Sequence, residues 1–382
     1  MRGIWFLTIG IVGCAAGTGP GSSAGPVAVI TSGSVEGDWP LVVELSASES
    51  TGQSLVDWRW DMGDGETRSG TDVTYTYWGA GDYEIELTVE DDAGETGVDV
   101  LFASVGRPPC PEAGEPVALG VVGAEELWEI SGVAESLEQS GVLYVHNDAG
   151  NATRLYAIDS SGATLAEWGL EEVSWGDWED IAVSRNPETQ TSYIYYGNIG
   201  DNAADKADIT VWQIPAPDDN GGDADLRGSE SVMQYPGGSR DAETLFVDPI
   251  TDDIYVVQKD YDGAAAVYRK SAPHRDGDDV FLEEVATLDF SVDPLSGSST
   301  TGGDVSPDGT WIIIRTYRQD AYLWRRDRTR PLWEAFDKQP CDIRLPSEPQ
   351  GESVAFSADG LGLWTVSEGA NPTVNYTPLL VP

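Results

Sequence analysis

One pattern of strands recurs five times between residue 116 and the end of this 382-residue chain, at intervals of roughly 50 to 60 residues. Each copy has a first strand that carries acidic or small residues, a turn, a strongly apolar second strand and a third strand with an aromatic residue. Repeats built only of strands predict a β-propeller, here of five blades over 116–382. A sixth blade within 215–240 or 337–350 stays open. First strands are predicted at 131–134, 179–182, 243–246, 303–306 and 352–355, second strands at 143–145, 194–196, 254–257, 311–314 and 363–366, and third strands near 155–156, 211–212, 267–268, 323–324 and 374–376.

Weaker fourth strands are predicted at 164–168, 232–235, 281–288 and 331–336. The last repeat has no fourth strand of its own before the chain ends. Residues 116–122 are expected to supply it from the N-terminal side, which would close the ring of blades.

Residues 26–106 alternate apolar and polar positions in short runs, which predicts a separate small β-sandwich. Through 58–65, 75–77, 81–83 and 87–91 this segment resembles the PKD family of immunoglobulin-like modules. The resemblance implies a spacer or adhesion module without catalysis. Asp61, Asp64 and Gly65 suit a tight turn, in preference to a metal or ligand site. A stiff linker, 107–115, follows and contains Pro108 and Pro109.

The N-terminus has a short apolar run, 4–12, and then Gly13-Cys14-Ala15. The run is too short to span a bilayer and suits a signal peptide. It resembles a bacterial lipoprotein signal, 1–14, which implies lipidation of Cys14 and attachment to a membrane through acyl chains. An ordinary cleaved secretory signal is the alternative. Ala15 favours an outer-membrane or cell-surface location, and 15–25 is expected to be a flexible linker.

The formal net charge of −45 disfavours nucleic acid as a partner and makes cations more plausible ones. A salt-adapted surface would give the same excess of acidic over basic residues without any ligand. Besides Cys14 the chain contains Cys110 and Cys341. Because exported compartments are oxidising, these two are predicted to form a disulfide, with two buried free thiols as the alternative.

First strands line the channel of a propeller, so the acidic residues of the predicted first strands should meet at one mouth. Buried carboxylates repel one another and need a cation or a basic side chain. Two interpretations stay open: ion pairs with Lys259 and Arg315, which end second strands, or a Ca²⁺ ion held by oxygen ligands. The predicted metal ligands are Glu179, Asp180, Glu243, Asp304 and Glu352.

Polar segments follow two of the second strands and are predicted to form tight turns or ligand-contacting loops. Their residues are His146, Asn147 and Asp148, and Asn198, Asp201 and Asn202. With the repeated strands they resemble exported bacterial propellers that include phytase-like esterases and lactonase-like proteins. That resemblance implies an acidic central site, although no complete catalytic set matches. The other histidine, His274, is predicted to be a solvated loop residue.

The sequence therefore predicts a surface lipoprotein whose PKD-like spacer presents a propeller that recognises a protein, glycan or matrix component. A calcium-dependent esterase, lactonase or phosphatase that uses Glu179, Glu243 and Glu352 is the first alternative. A purely structural surface protein is the second. Fold alone does not decide among the three.

Overall fold

The chain divides into two compact units, of which the second begins at Cys110. None of the helices in the described part of the chain is long and apolar enough to cross a membrane. The predicted signal, the lipidation site and the residues 107–109 of the linker lie outside the described residues. The computed structural model describes residues 25–106, 110–148, 153–171, 173, 176–217, 225–259, 264–290, 299–317 and 320–380.

The N-terminal unit consists of two β-sheets. A three-stranded sheet has the order β1-β3-β6, and a five-stranded sheet has the order β2-β8-β7-β4-β5, in the numbering that follows. The strands are β1 (Thr31–Ser32), β2 (Glu36–Asp38), β3 (Leu41–Ser46), β4 (Leu55–Asp61), β5 (Thr67–Ser69), β6 (Asp72–Tyr77), β7 (Gly81–Asp91) and β8 (Thr96–Gly106).

Alternation along the strands places the core of this unit between its sheets. On β7 the side chains of Ile85, Leu87 and Val89 are fully buried, and Trp60 and Tyr77 join them from β4 and β6. These positions alternate with exposed ones, as expected for strands with one face buried. The large aromatic side chains supply much of the apolar area that such a small module can bury.

The acidic segment after β4 is a tight turn, as predicted. Asp61 accepts a hydrogen bond from the backbone N–H of Gly63 (2.9 Å), and Asp64 accepts one from that of Glu66 (3.1 Å). Gly65 has φ +91°, a left-handed conformation that favours glycine. The second oxygen of Asp64 accepts the Tyr75 hydroxyl at 2.6 Å. These carboxylates therefore bind the protein's own donors.

The second unit is also all-β, and its described residues form five successive sheets. Two strands, β9 (Glu112–Ala113) and β10 (Val117–Val121), precede sheet 1, and the remaining strands follow in chain order. Sheet 1 contains β11 (Ile130–Glu135), β12 (Val142–Asn147), β13 (Arg154–Asp159) and β14 (Thr164–Gly169), and sheet 2 contains β15 (Trp178–Arg185), β16 (Ser192–Asn198), β17 (Ile209–Pro215), β18 (Ser229–Gln234) and the later strand β22 (Asp278–Phe281). Sheet 3 contains β19 (Ala242–Val247), β20 (Ile254–Gln258), β21 (Ala264–Lys270) and β23 (Glu283–Asp289). Sheet 4 contains β24 (Thr300–Val305), β25 (Trp311–Thr316), β26 (Asp320–Arg325) and β27 (Cys341–Arg344), and sheet 5 contains β28 (Ala355–Phe356), β29 (Gly362–Val366) and β30 (Thr373–Leu380).

Within each sheet the first three strands pair antiparallel in sequence order. The expected exchange of a strand across the termini is confirmed, because β10 pairs antiparallel with β30 and extends sheet 5. The short strand β9 also pairs with β30. The last sheet is thus completed by residues that precede the first one.

One predicted fourth strand is wrong, and the one predicted at 281–288 is confirmed as β23 with shifted bounds. Residues 332–337 form a 3₁₀ helix, and β27 takes the outer position of sheet 4 instead. The helix buries Leu332 and Ala335, which are three residues apart, a spacing that suits a helix and not a strand. Residues 281–288 are split, because β22 pairs in parallel with β18 of sheet 2 and only β23 belongs to sheet 3.

Hydrogen bonds connect each sheet of the second unit to the next. Sheet 1 contacts sheet 2 through the Ser131 hydroxyl and the Glu179 carbonyl (2.6 Å), and sheet 3 contacts sheet 4 through the Thr300 hydroxyl and the Gln258 carbonyl (3.1 Å). Asp180 joins sheets 2 and 3, and Asp304 joins sheets 4 and 5, both by accepting backbone N–H groups. Sheet 5 contacts sheet 1, since the Trp364 indole donates to Glu135 at 2.8 Å.

The predicted disulfide between Cys110 and Cys341 is confirmed. It links the start of the second unit to the first residue of β27, across 231 positions of sequence. A cross-link over so long a loop removes much of the conformational freedom of the unfolded chain.

We expect the double variant Cys110→Ala, Cys341→Ala to lose about 2–5 kcal/mol of unfolding free energy, the usual cost of removing a native disulfide. Urea denaturation followed by tryptophan fluorescence measures the loss. Reduction of the wild-type protein with dithiothreitol should reproduce it. An unchanged denaturation midpoint in both experiments would show that the cross-link does not constrain the unfolded chain.

Candidate functional site

The first strands of sheets 1 to 4 share an irregularity near their N-terminal ends. In each, the pairing with the second strand shifts past one extra residue, as in a β-bulge. These residues are Ser131, Glu179, Glu243 and Thr301. A bulge redirects the side chain of the extra residue, and bulges are frequent next to functional sites. Because first and second strands are antiparallel, the bulges lie at the same end as the last residues of the second strands.

Three carboxylates meet at this end of sheets 1 and 2. Asp148 follows β12, Asp177 precedes β15, and Glu179 occupies the bulge. One oxygen of each lies within 4.8 Å of the others, close enough to coordinate one metal ion together. Burial, and then the charges of Glu243, Asp148 and Asp177, raise the pKa of Glu179 well above its usual range. Glu179 would therefore gain from a bound cation or a proton.

A loop after β16 supports this group of carboxylates. Lys206 forms an ion pair with Asp177 at 3.2 Å and also donates to the Gly200 carbonyl. Gly200 packs directly against the Glu179 carboxylate, so a larger residue would displace it. The Asn198 side chain accepts the Asp177 N–H at 2.8 Å, which fixes the backbone at that carboxylate.

The second bulged glutamate, Glu243, forms a buried ion pair with Lys259. Both side chains are less than a tenth exposed. Burial lowers the pKa of Lys259, but the Glu243 carboxylate outweighs burial and holds that pKa above its usual range. The Tyr317 hydroxyl, which follows β25, also donates to Glu243 at 3.2 Å. Of the two interpretations of the acidic residues, the ion pair with Lys259 therefore applies to Glu243.

The third predicted glutamate, Glu352, lies in the segment before β28 and is 5% exposed. Burial raises its pKa to about 9. Gln350 donates to it at 2.8 Å, and a hydrogen bond with Glu368 favours its protonated form. Glu352 is thus neutral at pH 7, as expected for a buried acid without a basic partner.

Asp180 and Asp304 have a different role from the glutamates. Asp180 accepts the backbone N–H groups of Ile181, Leu245 and Gly303, and Asp304 accepts those of Val305 and Phe356. The predicted first strands, 179–182 and 303–306, place Asp180 and Asp304 at equivalent positions, and this equivalence is wrong. Counted from the bulges at Glu179 and Thr301, Asp304 lies two positions further along its strand than Asp180 does. Gly302 and Gly303 offer no side chains that would reveal this register.

Among the predicted ligand-binding residues, the histidine and the asparagines contribute mainly to structure. His146 is fully buried, and burial lowers its pKa to about 4. Asn147 donates to the Glu126 carbonyl at 2.5 Å and accepts the Glu129 N–H. Asp201 accepts two backbone N–H groups of its own loop, from Asp205 and Lys206, while Asn202 is exposed.

The prediction of a solvated His274 is wrong, since its side chain is only 1% exposed. Its Nε2 donates to the Asp252 carbonyl at 2.5 Å, and its Nδ1 accepts the Lys270 ammonium at 2.9 Å. These partners compensate for burial of the imidazole. Both histidines are therefore engaged within the protein instead of facing solvent.

Arg315 pairs with Glu348, which the sequence did not single out. The Arg315 side chain is 1% exposed, and its Nη1 donates to Glu348 at 3.0 Å and to the Ser353 carbonyl at 2.7 Å. Like Lys259, Arg315 thus neutralises a buried acid, but that acid lies outside the predicted set of ligands.

The predicted set of metal ligands omits Asp177 and Asp241, although a repeated signal marks both. Each stands two residues before a bulged glutamate, in Asp177-Trp178-Glu179 and Asp241-Ala242-Glu243. Asp241 accepts the Asp201 N–H at 2.7 Å, and its other oxygen is buried without a hydrogen-bond partner among the described residues. This Asp-x-Glu pattern could have located the acidic end of sheets 2 and 3.

Comparison with known proteins concerns mainly the N-terminal unit. The family model for the PKD domain matches residues 23–104. This segment is a PKD domain. Similar solved structures include the PKD1 domain of Vibrio anguillarum Epp, at 29% identity over 23% of this chain and 100% of that one, with a TM-score of 0.20. The PKD1 domain of the Vibrio cholerae metalloprotease PrtV is 28% identical over 22% of this chain and 98% of its own, with a TM-score of 0.19.

A further structure, solved to explain the promiscuous specificity of carbohydrate-binding modules from the β-sandwich superfamily, covers 51% of this chain and 60% of its own. Its identity is 16% and its TM-score 0.22. A search of curated proteins finds no match.

The raised pKa of Glu352 predicts a pH-dependent effect of Glu352→Gln. The folded protein keeps this carboxyl protonated up to about pH 9, whereas the unfolded chain ionises near its ordinary value of 4.5. This contribution to stability is complete below pH 4.5 and is lost as the pH rises toward 9. Glutamine stays neutral, so the variant should melt about 2–4 °C above wild type at pH 8.5, which corresponds to roughly 1 kcal/mol, and no higher at pH 4.

Calorimetry at the two pH values provides the measurement, with the exposed Glu188→Gln as control. A variant that melts below wild type at pH 8.5 would show that Glu352 is needed as an anion.

Proposed function

We propose that this chain is a surface lipoprotein, anchored through Cys14, in which the PKD domain holds a β-propeller binding module away from the membrane. The module would recognise an extracellular or envelope protein, or a glycan, through the end of the sheets where the bulged strands begin. The observation that carries the proposal is the arrangement of the second unit, in which five sheets succeed one another and the first three strands of each pair antiparallel. The segment before the first sheet completes the last one.

The contacts between the sheets support the propeller. Each first strand, or the segment next to it, is hydrogen-bonded to the following sheet, and the series returns from sheet 5 to Glu135 of sheet 1. Radial repetition of four-stranded sheets produces such a series. The disulfide joins the segment before β9 to the outer strand of sheet 4, near the place where the ring would close.

The positions of the histidines favour binding over a histidine-dependent hydrolysis. His146 lacks solvent access, and His274 is held between Lys270 and the Asp252 carbonyl. A general base must reach the proton that it removes from the nucleophile or from water. Neither imidazole can do so without rearrangement of its surroundings.

Anchoring through Cys14 predicts a change of location for Cys14→Ser. The wild-type protein should fractionate with membranes and be accessible to added protease on intact cells. The variant, which lacks the acylated thiol, should appear in the soluble fraction, since its attachment depends on the acyl chains. Membrane attachment of Cys14→Ser at the wild-type level would refute the anchor.

A calcium-supported site is the second candidate, and the cluster of Asp148, Asp177 and Glu179 favours it. Carboxylate oxygens are the ligands that Ca²⁺ prefers, and these three would hold the ion between sheets 1 and 2. When bound, the ion would supply a Lewis acid for ester, lactone or phosphate hydrolysis, or would rigidify a binding surface. Glu243 and Glu352 would lie outside this ligand set, because Lys259 and protonation already neutralise them.

Calcium should raise the melting temperature of the full chain above its value in EDTA. At a concentration 100 times Kd the gain is about 2.7 kcal/mol, or roughly 5–10 °C. Glu179→Gln should abolish the rise, and Glu188→Gln, at an exposed position in the turn between β15 and β16, should retain it. A melting temperature that is equal in calcium and in EDTA would leave the Lys206 ion pair as the neutralising partner of the cluster.

A further inference from the structure

We propose that Asp148, Asp177 and Glu179 bind the ammonium group of a lysine side chain that a protein partner presents to this end of the sheets. The inference rests on the proposed binding function and specifies the chemical group that is recognised. Asp148 follows β12 of sheet 1, while Asp177 and Glu179 lie at the start of β15 in sheet 2. A Ca²⁺ ion, the second candidate, would compete with the ammonium for the same carboxylates.

Glu179 carries the carboxylate with the greatest need of such a ligand. Only 3% of its surface is exposed, and its side chain accepts no hydrogen bond from the described residues. A buried anion with neither a donor nor a paired cation is costly. Lys206 pairs with Asp177 at 3.2 Å and forms no ion pair with Glu179, and Lys259 is paired with Glu243. A cation from outside the chain would therefore stabilise Glu179 as an anion.

Sheet 3 contains the same arrangement with an ammonium group in place. Glu243 occupies the bulge of β19 as Glu179 occupies that of β15, and Lys259 directly follows the paired strand β20. Lys259 and Glu243 form a buried ion pair. The equivalent position in sheet 2, directly after β16, is Ile199, a fully buried apolar residue. A lysine from a partner would thus give Glu179 the ion pair that the chain itself gives Glu243.

The spacing of the carboxylates suits an ammonium group. Its three N–H donors point to corners of a tetrahedron, and hydrogen bonds of about 2.8 Å place three acceptors roughly 4.6 Å apart. One oxygen from each of the three carboxylates lies within 4.8 Å of the others. Asp148 and Asp177 are partly exposed while Glu179 is buried, so the ligand would enter past the two aspartates. Lysine suits this entry, because its charge ends a flexible chain of four carbons, whereas the guanidinium of arginine is planar and broader.

The charge of the whole protein favours a basic partner. The formal net charge of −45 assists the approach of a positively charged surface and speeds its association. The charges of Asp148 and Glu129 both act on Glu368, so two further carboxylates lie near Asp148. This field attracts lysine and arginine alike. Selection of lysine must therefore come from the contacts with the three carboxylates.

Isothermal titration of the full chain in EDTA tests the site. The probe is a five-residue peptide with a central lysine between glycines, and its controls are the same peptide with Nε-acetyl-lysine or with arginine at the centre. The lysine peptide should bind at least about ten times more tightly than either control peptide. Glu179→Gln should weaken its binding by a similar factor. The matched control is Glu188→Gln, an exposed glutamate in the turn after β15, which should bind like wild type.

Four results would overturn the proposal: no binding of the lysine peptide, equal binding of the acetylated peptide, equal binding of the arginine peptide, or equal affinities in Glu179→Gln and Glu188→Gln. Circular dichroism and the melting temperature show that each variant is folded. The surface lipoprotein fails separately, in the fractionation of Cys14→Ser, and the calcium site fails in the melting experiment, so the failures are distinguishable.

Discussion

The concentration of buried acidic side chains at one end of the sheets is the constraint on which the rest of the second unit depends. Like charges brought together out of water are unstable unless each is protonated, paired or bound to a cation. This chain uses three solutions side by side. Glu243 has Lys259, Glu352 keeps its proton, and Glu179 shares its surroundings with Asp148 and Asp177, of which Asp177 is paired with Lys206. Only the last group combines several carboxylate oxygens within coordination distance, and it is where a cation would have the largest effect.

Acidic residues further along the bulged first strands have a second role, which is to connect the sheets. Asp180 is fully buried and Asp304 is partly buried, and each accepts backbone N–H groups from the first strand of a later sheet. Such bonds to charged acceptors are stronger than those between neutral groups. Burial nevertheless raises the pKa of Asp304 to about 7, so its hydrogen bonds do not fully compensate for lost solvation. Acidic residues thus have two roles: Asp180 connects the sheets, while the preceding residue, Glu179, belongs to the candidate site.

Much of the fold follows from the sequence because strand alternation and turn residues are local signals. The first three strands of each sheet and the PKD domain follow from these local signals, whereas the disulfide follows from the two cysteines that remain besides Cys14. Residues 332–337 were misassigned because aromatic content alone does not distinguish a strand from a short helix. Thr301 was missed as the equivalent of Glu179, since glycines 302 and 303 conceal the register of β24. Glu348 and Tyr317 lie between strands, where no periodicity marks a side chain that is turned inward.

The end of β12 and the bulged start of β15 bring three carboxylates together, and we propose that these carboxylates form a cation-supported site. Diffraction from crystals of the full chain soaked in terbium, a strongly anomalous substitute for calcium, tests it most directly. The account predicts one anomalous peak, between Asp148, Asp177 and Glu179, that calcium competes away. A map with no peak there, and with the Lys206 ammonium between the three carboxylates, would contradict it.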